Sequence, residues 1–158
     1  MKPQVRNLVF NAMIAALYAV LTVALEPISY GAVQFRLAEV MTLLAFVNPV
    51  FTPGLVLGCL IANLFSPLGM VDVVVGTFAT FLAVYPMRYC KNVWTASLLP
   101  VISNGLLVGI ELTLLFQLPL FATILSVAAG EFVVVSVIGV ALYYILIRGR
   151  LKELQSFQ

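Results

Sequence analysis

Six acidic residues occur in this chain of 158, and five of them stand in or beside long apolar stretches: Glu26, Glu39, Asp72, Glu111 and Glu131. Asn63, Asn104 and Gln34 share the same stretches, and Arg36 is the basic residue among them. A carboxylate in apolar surroundings is costly to hold, and its usual work is to face a cavity, a counter-charge or a ligand. With more carboxylates than basic groups, such a set selects a cation or a ligand rich in N–H donors. The spacing of Arg36 and Glu39 makes them neighbours if that stretch is helical, and the pair then leaves the other acids without a cation. Catalysis is poorly provided for. Histidine is absent, which removes the commonest metal ligand and the commonest general acid or base. Cys59 and Cys90 form no CxxC pattern, and there is no nucleophile elbow, phosphate loop or metal motif. The residues point to recognition, with no cofactor or metal in this chain and no means of hydrolysing ATP.

Each of these residues also has a purely structural reading. Asp72 suits a helix N-cap. Glu26 and Glu39 suit a solvated membrane interface, and Asn104 suits a hydrogen bond between helices. Glu111 and Glu131 are hardest to assign to structure alone, because both fall well inside apolar runs. Tyr30, Phe35 and Phe65 are candidates to stack on a flat ligand, or to serve as core and interfacial anchors.

The elements that position these groups follow from composition. Apolar residues make up 63% of the chain and charged residues 9%, against roughly half and a quarter in a soluble domain. A bilayer accommodates that surface and water does not. A net charge of +2 is too small to suggest nucleic acid. Proline, glycine and charge divide the chain into six segments: Leu8–Leu25, Phe35–Val47, Pro53–Phe65, Val71–Tyr85, Val93–Phe116 and Leu120–Ile147. The first is too long, and too soon followed by more apolar helix, for a cleaved signal peptide. The second is short for a span. Valine-, threonine- and phenylalanine-rich stretches such as VDVVVGTFATFLAVY do not alternate in polarity, so they read as helix and not as barrel strand. The expected fold is a single all-α domain over 1–158 with six transmembrane helices.

Charge orients it. With six spans, Lys2, Arg6, Arg88, Lys91, Arg148, Arg150 and Lys152 share one side, and only Arg36 falls on the other. The positive-inside rule makes the first side cytoplasmic, with both termini. Glu26, Glu39, Asp72, Glu111 and Glu131 then converge toward the outer half from different helices. Small residues at a spacing of four recur at Ala12-xxx-Ala16, Ala15-xxx-Ala19, Gly54-xxx-Gly58 and Gly105-xxx-Gly109. Such ridges let helices approach closely. Most serve internal packing; the alanine ridge of the first helix is the best candidate for an external partner.

Two stretches carry a resemblance. SYGAVQFRLAEVMTLLAFVNP (Ser29–Pro49) and GLVLGCLIANLFSPLGMVDVVVGTFATFLA (Gly54–Ala83) resemble the QueT family, in their QFR-x-x-E and N-x-x-S-P-x-G-x-x-D patterns above all. The alanine ridge and the Gly130-Glu131 pair agree, while the last two helices match more loosely. The resemblance implies a substrate-binding S component of an energy-coupling factor (ECF) importer in the bacterial cytoplasmic membrane. It implies partners: a transmembrane T component and two ABC ATPase subunits, which use the ATP. It gives Ala12, Ala15, Ala16 and Ala19 the docking role. It also implies a deazaguanine-type substrate, a queuosine precursor such as 7-aminomethyl-7-deazaguanine. That base has an N–H edge and an ammonium group, and carboxylates suit both. The expected binding residues are Gln34, Arg36, Glu39, Asn63, Asp72, Asn104, Glu111 and Glu131. An S component for another vitamin-like cation, an intramembrane enzyme and a structural membrane protein are the competing readings.

Overall fold

The computed structural model describes residues 2–31 and 34–147. Arg148, Arg150, Lys152 and Glu153, on which part of the charge asymmetry rests, lie outside the described residues. Six helical rods follow one another: α1 (Pro3–Ala24), α2 (Leu37–Val47), α3 (Thr52–Asn63), α4 (Met70–Val84), α5 (Val93–Phe116) and α6 (Leu120–Leu146). Among the described residues there is no strand. The punctuation follows the residues. Proline opens α1 at its first position, where the missing N–H costs nothing. The Asn92 side chain caps α5 by accepting from the Thr95 N–H at 2.8 Å. Gln117 closes α5 in the left-handed region at φ 54°.

Four rods are long and apolar enough to cross a membrane: Pro3–Ala24, Met70–Tyr89, Val93–Phe116 and Leu120–Leu146. Two are shorter, Leu37–Val47 and Pro49–Asn63. The second owes some of its reach to a 3₁₀ stretch, Leu37–Leu43, which runs into the α-helical turn Leu44–Val47. At about 2.0 Å rise per 3₁₀ residue and 1.5 Å per α residue, α2 covers roughly 20 Å, short of a hydrocarbon core of about 30 Å. The last rod changes pitch. It is α-helical over Leu120–Glu131 and a wider π-helix over Phe132–Gly139, so the change falls directly after Glu131.

Contacts show that successive rods alternate in direction. Asn11 of α1 accepts from the Gly54 N–H and donates to the Val50 carbonyl, which sets α1 and α3 parallel with their starts together. Gly58 lies against Tyr18 and Ala15: a Cβ there would sit 2.8 Å from the Tyr18 Cβ and 3.0 Å from the Ala15 Cα. On the other side, a Cβ at Gly109 would meet the Ile124 Cα at 2.8 Å, and one at Gly105 the Ala128 Cβ at 3.0 Å. Both glycine pairs thus seat helix on helix within the chain. The alanine ridge divides. Ala15 and Ala19 are buried, whereas Ala12 and Ala16 are exposed.

The distribution of polarity is that of a protein in an apolar solvent. Glu39, Asn63 and Asp72 are completely buried, while Phe121 is 80% and Leu125 69% exposed. In water both arrangements would be unfavourable; in hydrocarbon both are the lower-energy choice.

Candidate ligand-binding site

The buried polar residues form two groups that meet near Arg36. Arg36 precedes α2 with extended backbone (φ −85°, ψ 99°), so its side chain does not follow the helical path toward Glu39. It turns instead to α4, where Nη2 lies 3.3 and 3.2 Å from the two Asp72 oxygens, with the two residues 4% and 0% exposed. The expected Arg36–Glu39 pair is therefore replaced by Arg36–Asp72. The surrounding residues complete this first group. Asn63 donates to the Asp72 backbone carbonyl at 3.0 Å. Its Nδ2 also lies 3.4 Å from the Cys59 sulfur, which accepts from the Thr80 hydroxyl at 3.2 Å. Gly76 is required here: a Cβ would sit 2.7 Å from the Asn63 amide nitrogen and 2.8 Å from an Asp72 oxygen. Asp72 is not the N-cap of α4 either. It stands in the first turn, after Gly69 at φ 72°.

The second group has no cation of its own. Asn104 of α5 donates to Glu131 Oε1 of α6 at 2.9 Å. The Tyr18 hydroxyl of α1 donates to Glu39 Oε1 of α2 in a short contact. Among the described residues the remaining oxygen of each carboxylate, Oε2, accepts no hydrogen bond, and neither oxygen of Glu111 does. All three side chains are buried, Glu111 at 3% and Glu131 at 2% exposure. Asp72 and Arg36 lie within electrostatic reach of Glu111, and Glu39 and Arg36 within reach of Glu131. Buried carboxylate oxygens without donors are rare, because each forfeits its hydration. Three such side chains near one already paired arginine form a buried acidic recess with acceptors to offer.

Beside it, a cavity of about 260 Å³ is lined by Tyr30, Gly31, Leu112, Phe116 and Leu118. Leu112 adjoins Glu111 in α5, so the cavity lies one residue along the helix from that carboxyl. Tyr30 is anchored twice: its hydroxyl donates to the Ala62 carbonyl at 2.6 Å, and its ring lies 5.1 Å from the Arg36 guanidinium. Burial pushes that hydroxyl up to about 12 and keeps it a neutral donor. Of the other two aromatics, Phe35 packs on the core and Phe65, in the turn after α3, is 64% exposed. Gln34 is buried with φ 50° and an amide nitrogen that meets no acceptor. Glu26 stands outside the recess, in the single turn Glu26–Ser29.

Tyr18, Cys59 and Thr80 are the polar members that sequence reasoning missed. A lone tyrosine in an alanine-rich helix reads as an interfacial anchor, and nothing local indicates a carboxylate from the next rod above it.

The family model of the QueT transporter matches residues 8–148. The chain belongs to the QueT transporter family. The curated relative is the queuosine precursor transporter QueT of Lactococcus lactis subsp. cremoris (strain MG1363), 40% identical over 81 residues. That match covers 50% of this chain and 47% of the relative, so the chain aligns with about half the relative's length. No solved structure matches the chain. Membership of a transporter family, together with four helices of spanning length, makes this QueT-family chain a multi-pass membrane protein. Glu39, Glu111 and Glu131 all fall within the residues that the family model covers.

Proposed function

We propose that this QueT-family chain is the S component of an ECF-type importer and binds a queuosine precursor, 7-aminomethyl-7-deazaguanine, at its outer face. The observation that carries the reading is the acidic recess: among the described residues Glu111 has two unbonded oxygens, Glu131 and Glu39 have one each, and none of the three forms an ion pair. The Lactococcus relative is named for the same class of cargo. The ligand supplies what these oxygens lack, a protonated aminomethyl group and the N–H donors of a guanine-type edge. Charge-assisted hydrogen bonds of this kind are about twice as strong as neutral ones. Asp72 is neutralised by Arg36, so we assign it to shaping the recess and leave ligand contact to Glu111 and Glu131. Asn104 orients Glu131, Tyr18 orients Glu39, Asn63 holds the Asp72 backbone, Tyr30 lines the neighbouring cavity, and the Gln34 amide, unbonded among the described residues, is a further donor.

In this reading all six rods span or enter the bacterial cytoplasmic membrane, with both termini inside. Ala12 and Ala16, exposed on α1, form the surface on which a T component docks, and two ABC ATPase subunits bound to that component use the ATP. Ala15 and Ala19 pack within the chain.

Calorimetric titration of the detergent-purified chain tests the proposal, with 7-aminomethyl-7-deazaguanine, guanine and thiamine compared. Selective binding of the first, in the absence of any ATPase, is the expected result. The Glu111→Gln and Glu131→Gln variants each weaken it by at least about tenfold, the scale of a lost hydrogen bond to a charged group. Undiminished binding after both glutamates are replaced by alanine would sink the site assignment. Selective binding of thiamine would leave an S component with a different cationic cargo.

A further inference from the structure

A second feature lies on the outward side of α3 and α4, apart from the proposed cargo site. α3 and α4 diverge there to leave an outward-facing apolar groove of about 470 Å³, walled by Val56, Leu57 and Leu60 on one side and Phe81 and Tyr85 on the other. Arg88 stands at its mouth. The arginine is held in a fixed attitude. Its Nε donates to the Tyr85 carbonyl at 3.1 Å, and its guanidinium lies 4.0 Å above the Tyr85 ring. Its guanidinium also lies 6.0 Å from the Tyr89 ring, and no hydrogen bond from Nη1 or Nη2 is formed among the described residues. No described carboxylate pairs with Arg88, and Lys91 adds a second positive charge three residues on.

The two parts of this feature call for different chemistry in one ligand. A planar guanidinium edge matches the oxygens of a phosphate. An apolar trough that runs from Leu60 to Thr52, about 12 Å at 1.5 Å per residue, matches a hydrocarbon chain. Tyr85, Tyr89 and Trp94, exposed by 42%, 73% and 52%, stand in the same part of the chain. Exposed tyrosine and tryptophan mark the depth at which headgroups meet hydrocarbon. We propose that this groove seats an anionic phospholipid, with an acyl chain between α3 and α4 and its phosphate on Arg88. A protein segment would need a carboxylate placed at the mouth of the groove to satisfy both parts, whereas a phospholipid joins an anion to a hydrocarbon chain in one molecule, so the lipid is the favoured occupant. The proposal requires only that the chain lies in a membrane. It does not depend on the cargo or on the partners.

Native mass spectrometry of the full chain, released from nanodiscs of equal parts phosphatidylglycerol and phosphatidylcholine, provides the test. The expected spectrum shows one phosphatidylglycerol retained in preference to phosphatidylcholine. Arg88→Gln reduces that retention by about tenfold, the scale of charge-assisted bonds to one phosphate, and Arg88→Lys retains part of it. Leu57→Trp, which fills the trough and leaves the charge in place, also reduces it. Arg88 and Leu57 both lie on the surface of the chain, so neither change threatens the fold, and a helical circular dichroism signal equal to the parent's verifies this. Equal retention of the two lipids by the parent chain would overturn the proposal. So would undiminished phosphatidylglycerol retention in either Arg88→Gln or Leu57→Trp, or a polypeptide seated on this face in place of lipid.

Discussion

Replacement of Asp72 by asparagine separates a structural carboxylate from a ligand-binding one. The amide has nearly the volume of the native side chain, and the backbone carbonyl that Asn63 holds at 3.0 Å would be unchanged. What disappears is the charge 3.2 Å from the Arg36 guanidinium, with both groups almost wholly buried. Arg36 would then be a desolvated cation whose nearest charged neighbours are the glutamates of the recess. Removing one partner of a buried pair costs about 3–5 kcal/mol, most of it the penalty on the partner left behind. Here the low end is expected, because Glu39 and Glu111 lie within electrostatic reach and offset part of the loss. The assay is reversible unfolding in mixed micelles with increasing dodecyl sulfate, followed by helical circular dichroism. A double variant, Arg36→Met with Asp72→Leu, should recover most of the lost stability, since replacing both members with apolar groups is often neutral. If Asp72→Asn stays within about 1 kcal/mol of the parent, the range of an exposed pair, the buried-pair argument fails. If it also weakens ligand binding at unchanged stability, Asp72 belongs to the ligand.

Three further outcomes follow from the geometry. Tyr18→Phe removes the hydroxyl that serves Glu39 and leaves a buried carboxylate oxygen without its donor, at a cost of about 1–3 kcal/mol in the same unfolding assay. Gly58→Leu places a side chain against the Cα of Ala15 and the Cβ of Tyr18, within 3.0 Å of where its Cβ must lie. Backbone cannot yield as a flexible side chain can, so the cost should reach the upper part of the roughly 1–3 kcal/mol usual for overpacking, with α1 and α3 forced apart. Ala12→Leu with Ala16→Leu, by contrast, alters only exposed positions of α1. It should leave the unfolding midpoint of the isolated chain unchanged and reduce co-purification with a T component; a lowered midpoint would mean that this ridge packs within the chain.

Composition and punctuation were enough to indicate an apolar solvent and a chain of helical rods, four of which reach spanning length. An apolar content of 63% admits only a bilayer, and prolines, glycines and charges mark six rods whose ends the structure moves by a few residues. The end of α5 at Phe116 was legible because Gln117-Leu118-Pro119 follows, and the structure adds the Asn92 cap at its start. Legible too were the residues that are costly to bury, since a carboxylate in an apolar run needs a partner wherever it falls. Which partner each one takes came from the packing of the rods. Arg36 and Glu39 are three apart, and a regular helix would have joined them. Extended backbone at Arg36 turned the guanidinium to Asp72, 36 residues away. The same holds for Tyr18 above Glu39, and for the alanine ridge, where the seating of α1 on Gly58 buried Ala15 and Ala19 and left Ala12 and Ala16 outside. Hydropathy and periodicity record how each residue meets its solvent. Pairing of buried charges depends on which side chains reach each other across rods, and that is a property of the packed molecule.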